Sequence, residues 1–495
     1  MILLYQEPHE YEYLYQSLVL QFECGAFLAG QTFLTQKQIC RQYNVGITTV
    51  RKVMKMLSQQ GYIRTASGQP AAVAYQASRK LLISSLVSRR NAISDCYQGM
   101  RMLLPALYRE GAKLCGDAEL EMLQKTAEEI YDDMELSALY RQANAFFTKL
   151  LEPFRNGLII DLEIDAENYL HIPYIPVDYA QDPFYQSPRR VKNRLQTAHK
   201  MIKEKRFDDF YESVLRIYND TYQKVDQYLS LLGRHAEEMP LSKKDIPWLR
   251  TKRHSELYSR LAMTIVRRIL NGEFDGQKYL PSIPRLMEEY GVMKDTASRA
   301  LNLLNTLGFT QTIDKKGTVI TSKDFRSVRG HVDFSDAVIR ERLTLFMEAL
   351  QILALTTREC TAVLPAVPEE WVGRLVKNPY MIEENQIGSQ SIQVLMNYLI
   401  YSAPCNSLQN IYRQLNEMLL WGNYLMSVEV ELYSGDWKKI AETVSEILTA
   451  LRKNEESVLP ELFERFFLQA YQSIYAVVVQ LPFDEEDLPH FLTLL

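Results

Sequence analysis

The 495-residue chain is short of cysteine, histidine and glycine, and each shortage excludes something. Its six cysteines (Cys24, Cys40, Cys96, Cys115, Cys360, Cys405) are scattered, with no CxxC pair. That pattern suits reduced thiols in a cytoplasm and fits neither a disulfide framework nor a zinc site. The seven histidines include no pair at helical ligand spacing, so no metal is expected. With 20 glycines and no GxxxxGK[ST], HExxH or GxSxG, the chain has none of the phosphate-cradling or nucleophile-presenting loops of common enzymes. The expectation is a non-enzyme without a cofactor. No run of about 18 apolar residues occurs, so no membrane span is expected. The opening "MILLYQEPHEYEY" lacks a basic segment and turns acidic at once, which argues against a signal peptide.

What is present is a soluble, globular composition with 47% hydrophobic and 24% charged residues, long enough for two to four domains. The net charge of −5 is unevenly spread. Residues 14–73 hold six Lys/Arg against one acid, residues 241–254 five against one, and residues 257–321 nine against six. These islands total +12, which leaves −17 for the remainder. Basic islands in an acidic bulk fit a nucleic-acid binder with non-binding companion domains.

Two of the islands share a pattern. Sliding the chain by 247 aligns residues 11–62 with 258–309 without a gap, with ten of 52 positions identical. The identities are Tyr11/Tyr258, Leu14/Leu261, Val19/Val266, Gly25/Gly272, Phe27/Phe274, Tyr43/Tyr290, Val45/Val292, Thr49/Thr296, Leu57/Leu304 and Gly61/Gly308. A repeated apolar pattern of this length implies a repeated fold. Each copy reads as three helices and a short hairpin. Leu257, Leu261, Ile265 and Ile269 share one face of a first helix that Gly272 stops. Ser282 or the Thr35–Gln38 capping box opens the second, Pro284 lies in the first turn of the later copy, and Gly291 or Asn44 turns the chain into the third. "GYIRTASGQPAAVAY" and "GFTQTIDKKGTVIT" then read as strand, turn, strand.

A helix-turn-helix followed by a basic hairpin is a winged helix, whose third helix enters the major groove while the wing rests on the backbone. At 100° per residue, Val50, Met54 and Leu57 fall on the inner side of the third helix. Thr48, Lys52 and Lys55 fall opposite, flanked by Thr49 and Arg51. In the later copy the outward positions are Asp295, Arg299 and Asn302, flanked by Thr296 and Ser298. Hydroxyls and cations bond phosphate oxygens and base edges. Asp295 either accepts from a cytosine amino group or repels phosphate. Arg64, Lys315 and Lys316 supply wing charge, and Thr35 and Ser282 sit at second-helix starts.

These residues resemble the winged-helix domain of the GntR family of bacterial transcription regulators. Its Leu-Pro-Ser-Glu start to the second helix is matched by Leu280, Pro281 and Ser282, with Ile283 in place of the Glu. Its Gly-Val-Ser-Arg-x-Thr-Val-Arg run is matched at Gly291, Val292 and Thr296, with Lys294 in place of the first Arg and Ser298 in place of the second. The earlier copy keeps Thr49, Val50 and Arg51, while Gly46 and Ile47 replace the Ser-Arg pair. The resemblance carries DNA contacts to Thr48, Thr49 and Arg51, and to Lys294 and Thr296, with Ser282 as a phosphate-facing cap. It implies companion domains that bind a small-molecule effector or make a homodimer. Some all-helical companions in the family hold a metal through an Asp and three His, which His171, His199, His235, His331 and His490 do not reproduce. Others are aminotransferase-like, but the second copy occupies the middle of where such a domain would lie.

The expected architecture is mainly α, with two winged helix-turn-helix domains each followed by an all-helical domain. The boundaries are residues 1–75 and 76–240, a basic linker over 241–254, then 255–322 and 323–495. "LYRQANAFF" from Leu139 and "IYRQLNEML" from Ile411 extend the repeat into the helical parts, as does Arg109-Glu110 set against Arg358-Glu359. The Tyr- and Pro-rich stretch 169–188 reads as a loop. The expected function is a cytoplasmic transcription regulator whose partner is double-stranded DNA. The alternative is a protein-interaction scaffold in which one or both winged helices no longer bind DNA.

Overall fold

The computed structural model of the chain describes residues 10–23, 27, 29–43, 45–66, 69–134, 136–170, 187–233, 257–270, 272–321, 333–364, 387–427 and 437–492. The basic linker 241–254, most of the loop 169–188, Asn44, Cys24, His171, His235 and His331 lie outside the described residues. Two compact units divide the chain, one built on Glu7–Lys252 with Ala403–Ile411 and the other on Arg253–Ser402 with Tyr412–Leu495.

The first unit opens with α1 (Glu10–Glu23), α2 (Gln36–Tyr43) and α3 (Ile47–Gln59), then a hairpin of β1 (Ile63–Arg64) and β2 (Ala72–Val73). Each helix contributes one apolar stripe to a shared core: Leu14, Leu18 and Phe22; Ile39 and Tyr43; Val50, Val53, Met54 and Leu57. Burying each such side chain stabilises the fold by roughly 1.5–3 kcal/mol. Phe22 packs against Phe27, Phe33 and Tyr62 with ring centroids 4.8, 5.3 and 5.2 Å apart. The capping box at the start of α2 forms: the Thr35 N–H donates to Gln38 Oε1 (2.8 Å), and the Gln38 N–H donates to Thr35 Oγ1 (3.3 Å).

Among the described residues, seven α-helices follow before residue 234: α4 (Arg79–Ser88), α5 (Arg90–Lys113), α6 (Asp117–Glu128), α7 (Leu136–Leu151), α8 (Gly157–Leu170), α9 (Pro188–Lys203) and α10 (Phe207–Gly233). Helices α5 and α10 run antiparallel, tied by Arg90–Asp226 (2.8 Å), Ser94–Tyr222 (3.0 Å) and Arg101–Asn219 (3.3 Å). At Gly111 a Cβ would lie 1.9 Å from the Leu150 carbonyl oxygen, so α5 and α7 approach closely only because the residue is glycine. The Tyr13 hydroxyl donates to Asp165 Oδ1 (2.6 Å), joining α1 to α8 through two buried side chains. In the same unit Asp95 accepts from the N–H groups of Asn406 (2.8 Å) and Ser407 (2.7 Å).

The second unit opens with α11 (Leu257–Leu270), α12 (Ile283–Tyr290) and α13 (Lys294–Thr306), then a hairpin of β3 (Thr310–Ile313) and β4 (Gly317–Ile320). Gly272 and Gly291 take φ of 74° and 67°, in the left-handed region where only glycine is unstrained, and turn the chain after α11 and α12. Ser282 occupies the N-cap position of α12, but its side chain makes no capping bond. The cap expected from its hydroxyl is therefore positional only. Beyond the hairpin, α14 (Ala337–Thr361) is buried on nearly every face, the mark of a central helix. Further α-helices among the described residues are Ile387–Ser402, Asn406–Leu419, Trp437–Lys453 and Leu459–Val478. Arg109 bonds its neighbour Glu110 (2.7 Å), whereas Arg358 reaches Glu464 (2.9 Å).

Candidate nucleic-acid interface

Helix α13 is seated by Ala297, Ala300, Leu301 and Leu304, all buried. That orientation leaves Lys294, Asp295, Arg299 and Asn302 exposed, with Thr296 and Ser298 half-buried beside them. Asp295 lies in the first turn, where the helix dipole favours a negative charge. The Arg299 guanidinium lies over the Tyr258 ring, 4.0 Å from its centroid, which fixes a long cationic side chain against α11. Asn305 clamps the wing to the end of α13: its Nδ2 donates to Thr312 Oγ1 (2.9 Å), and its Oδ1 accepts from Thr310 Oγ1 (2.7 Å). Lys315 and Lys316 are exposed at the hairpin turn, Lys315 with φ of 59°.

Helix α3 exposes Thr48, Arg51, Lys52 and Lys55, with Thr49 half-buried, and Arg64 is exposed on β1. Thr35 is exposed, but its hydroxyl is engaged by Gln38 (2.8 Å) and so is committed to holding α2. Lys52 Nζ lies 2.9 Å from the centroid of the Tyr11 ring. From Cys24 to Ser94 the chain contains no acidic residue, so α2, α3 and the hairpin carry only positive charge of their own.

Residues 257–320 match the family model described as bacterial regulatory proteins, gntR family. They are a GntR-family domain. Among solved structures the chain is similar to the Streptococcus agalactiae GntR protein, with 15% identity, 43% of this chain and 99% of that one covered, and a TM-score of 0.22. It is similar to E. coli McbR/YncC with 14% identity, 46% and 97% covered, and a TM-score of 0.22. A GntR-family transcriptional regulator from Pseudomonas syringae pv. tomato DC3000 gives 15% identity, 46% and 88% covered, and a TM-score of 0.20. No curated protein matches the chain.

Residues of the GntR domain and residues 247 positions earlier make corresponding contacts. Thr310 pairs with Ile320 and Gln311 with Val319, as Ile63 pairs with Val73 and Arg64 with Ala72. The isolated bridges Tyr279–Val319 and Thr32–Ala72 keep the same offset. Arg268 donates to the Tyr290 hydroxyl and Gln21 to that of Tyr43. Gly308 and Gly61 both take φ of 80°. The two ring–cation pairs, Arg299 on Tyr258 and Lys52 on Tyr11, are also 247 apart.

Sequence reasoning placed Lys52 and Arg299 facing outward and missed the tyrosines beneath them. The signal was present: Tyr11/Tyr258 is the first identity of the repeat, and a cation follows 41 positions later in both copies. The Asn305 clamp carried no such signal, since Ser58 stands at the corresponding position. Among the described residues no group of three His, Cys, Asp or Glu could hold a metal ion, and no helix is long and apolar enough to cross a membrane.

Proposed function

We propose that the chain is a transcription regulator binding double-stranded DNA sequence-specifically through two winged helices, residues 1–75 and 255–322. The observation carrying this reading is the correspondence at a spacing of 247: two hairpins in one register and two recognition-helix cations seated on equivalent tyrosines. One member of the pair is a GntR-family domain. The earlier member presents a hydroxyl-bearing, cationic face in a stretch without acids, the chemistry that phosphate and base edges recruit.

In this reading Thr48, Thr49, Arg51, Lys52 and Lys55 on α3, with Arg64 on the wing, serve one half-site. Lys294, Asp295, Thr296, Ser298 and Arg299 on α13, with Ser282, Lys315 and Lys316, serve the other. A regulator of this type usually dimerises to offer two recognition helices to a two-fold operator. A fused chain offers both alone, and the unlike faces of α3 and α13 suit an asymmetric operator. The helical stretches 76–240 and 323–495 are assigned to effector binding or homodimerisation, 241–254 to a linker, and the site of action to the cytoplasm.

The test is titration of the full chain with the DNA upstream of its own gene at several salt concentrations. Affinity falling steeply as salt rises supports phosphate contacts. Absence of binding at low salt removes the DNA reading and leaves the protein-interaction scaffold.

A further inference from the structure

Both recognition helices begin with an apolar residue in water. Met293 is the N-cap residue of α13 and is 77% exposed, the most exposed large hydrophobic among the described residues. Ile47, the first residue of α3, is 40% exposed behind the N-cap Gly46. Neither helix start has a side-chain capping bond. An N-cap Ser, Thr, Asp or Asn commonly stabilises a helix by about 1 kcal/mol. Both copies forgo that and place a hydrocarbon at or beside the cap, on the end of the helix that approaches base edges in a winged helix.

A single exposed hydrophobic needs no explanation. Here two occur at adjacent positions of the same turn in the two copies, each followed along its helix by exposed cations: Lys294 and Arg299, or Arg51 and Lys52. Met293 lies mostly in water and Ile47 partly so, and neither can bond a phosphate. In the major groove the one hydrocarbon feature of a base edge is the thymine C5-methyl group. Met293 is also long and unbranched, which lets the thioether follow that methyl across small changes in docking.

We propose that Met293 and Ile47 are specificity-determining residues that read thymine through its 5-methyl group, one in each half-site. This rests on the DNA-binding reading above. The flanking cations hold the helix ends against phosphates, and the apolar tips set which base is accepted there.

The experiment uses the full chain and duplexes that it enriches from a randomised pool. Each duplex is then recopied with dUTP in place of dTTP, which removes every thymine methyl and leaves base pairing intact. The wild-type chain is expected to bind the thymine duplex more tightly, by about fourfold for each methyl contacted. Met293→Ala should lower that ratio by about the same factor and Ile47→Ala should do so independently, while Met293→Leu retains it. Neither side chain belongs to the buried core, and circular dichroism checks that each variant keeps the fold. Salt-sensitive binding with the same ratio for the wild type, Met293→Ala and Ile47→Ala overturns the thymine assignment and leaves the DNA reading standing. Failure to enrich any duplex at low salt overturns the DNA reading itself, and this inference with it.

Discussion

The guanidinium of Arg299 lies 4.0 Å over the ring of Tyr258. The same ring is 5.9 Å from Arg342 of α14, which in turn lies 4.8 Å over Trp421. An exposed cation of α13 thus shares its aromatic seat with an arginine buried in the helical part of its unit. A cation over a ring contributes about 0.5–2 kcal/mol, depending on desolvation. A double-mutant cycle of Tyr258→Leu with Arg299→Gln, read by urea denaturation, should give a coupling in that range. Zero coupling would show that the seat does not hold the cation.

Arg51→Ala should weaken DNA binding and lower the slope of log affinity against log salt by about one, as loss of a single phosphate contact does. Lys294→Ala should do the same through the GntR domain. Salt titration by fluorescence anisotropy reads both. Unchanged slopes in both variants would mean that the wrong helix faces have been assigned.

Tyr13→Phe removes the 2.6 Å hydrogen bond to the buried carboxylate of Asp165. Hydrogen bonds to charged groups stabilise by about 1.5–3 kcal/mol, and the loss should lie in that range by urea denaturation. Arg260 stands 247 positions after Tyr13 and pairs with Glu417 (3.1 Å), an exposed partner. Arg260→Met should therefore cost less, about 0–1 kcal/mol. The reverse order would overturn this comparison.

Burial raises the carboxyl of Glu163 to about 8, with Glu167 and Glu152 adding to the rise and hydrogen bonds from Thr148 and Tyr108 opposing it. The unfolded chain would release this proton near 4.5. Between those values the folded state holds more protons, so this group's contribution to stability is complete at low pH and declines as pH rises towards 8. Glu163→Gln should abolish that decline and stabilise the protein by about 1–3 kcal/mol at pH 8 relative to pH 5. Thermal unfolding at the two pH values checks this, and an equal shift at both would contradict it.

The three-helix-and-hairpin order was legible in the sequence because it rests on local signals. Apolar residues recur at helical spacing, Thr35 and Gln38 form a capping box, and Gly272, Gly291 and Gly308 sit where left-handed backbone is needed. The outward faces of α3 and α13 followed from the same spacing. What was hidden depends on tertiary contacts between distant positions. Tyr258 meets Arg299 only when α11 crosses α13, and Tyr13 meets Asp165 only when α1 docks on α8. The bond from Arg358 to Glu464 was hidden in the same way, since Glu464 comes from another helix. Thr35 and Ser282 show the limit at single residues: one hydroxyl is spent on its cap, and the other sits at a cap position without bonding it.

The central claim is that both winged helices engage DNA, and footprinting the full chain on the DNA upstream of its own gene tests it most directly. The account predicts two protected major-groove patches with unlike sequences, the protection weakening together as salt is raised. Protection of a single patch would contradict a role for both helices, and no protection at low salt would contradict DNA binding altogether.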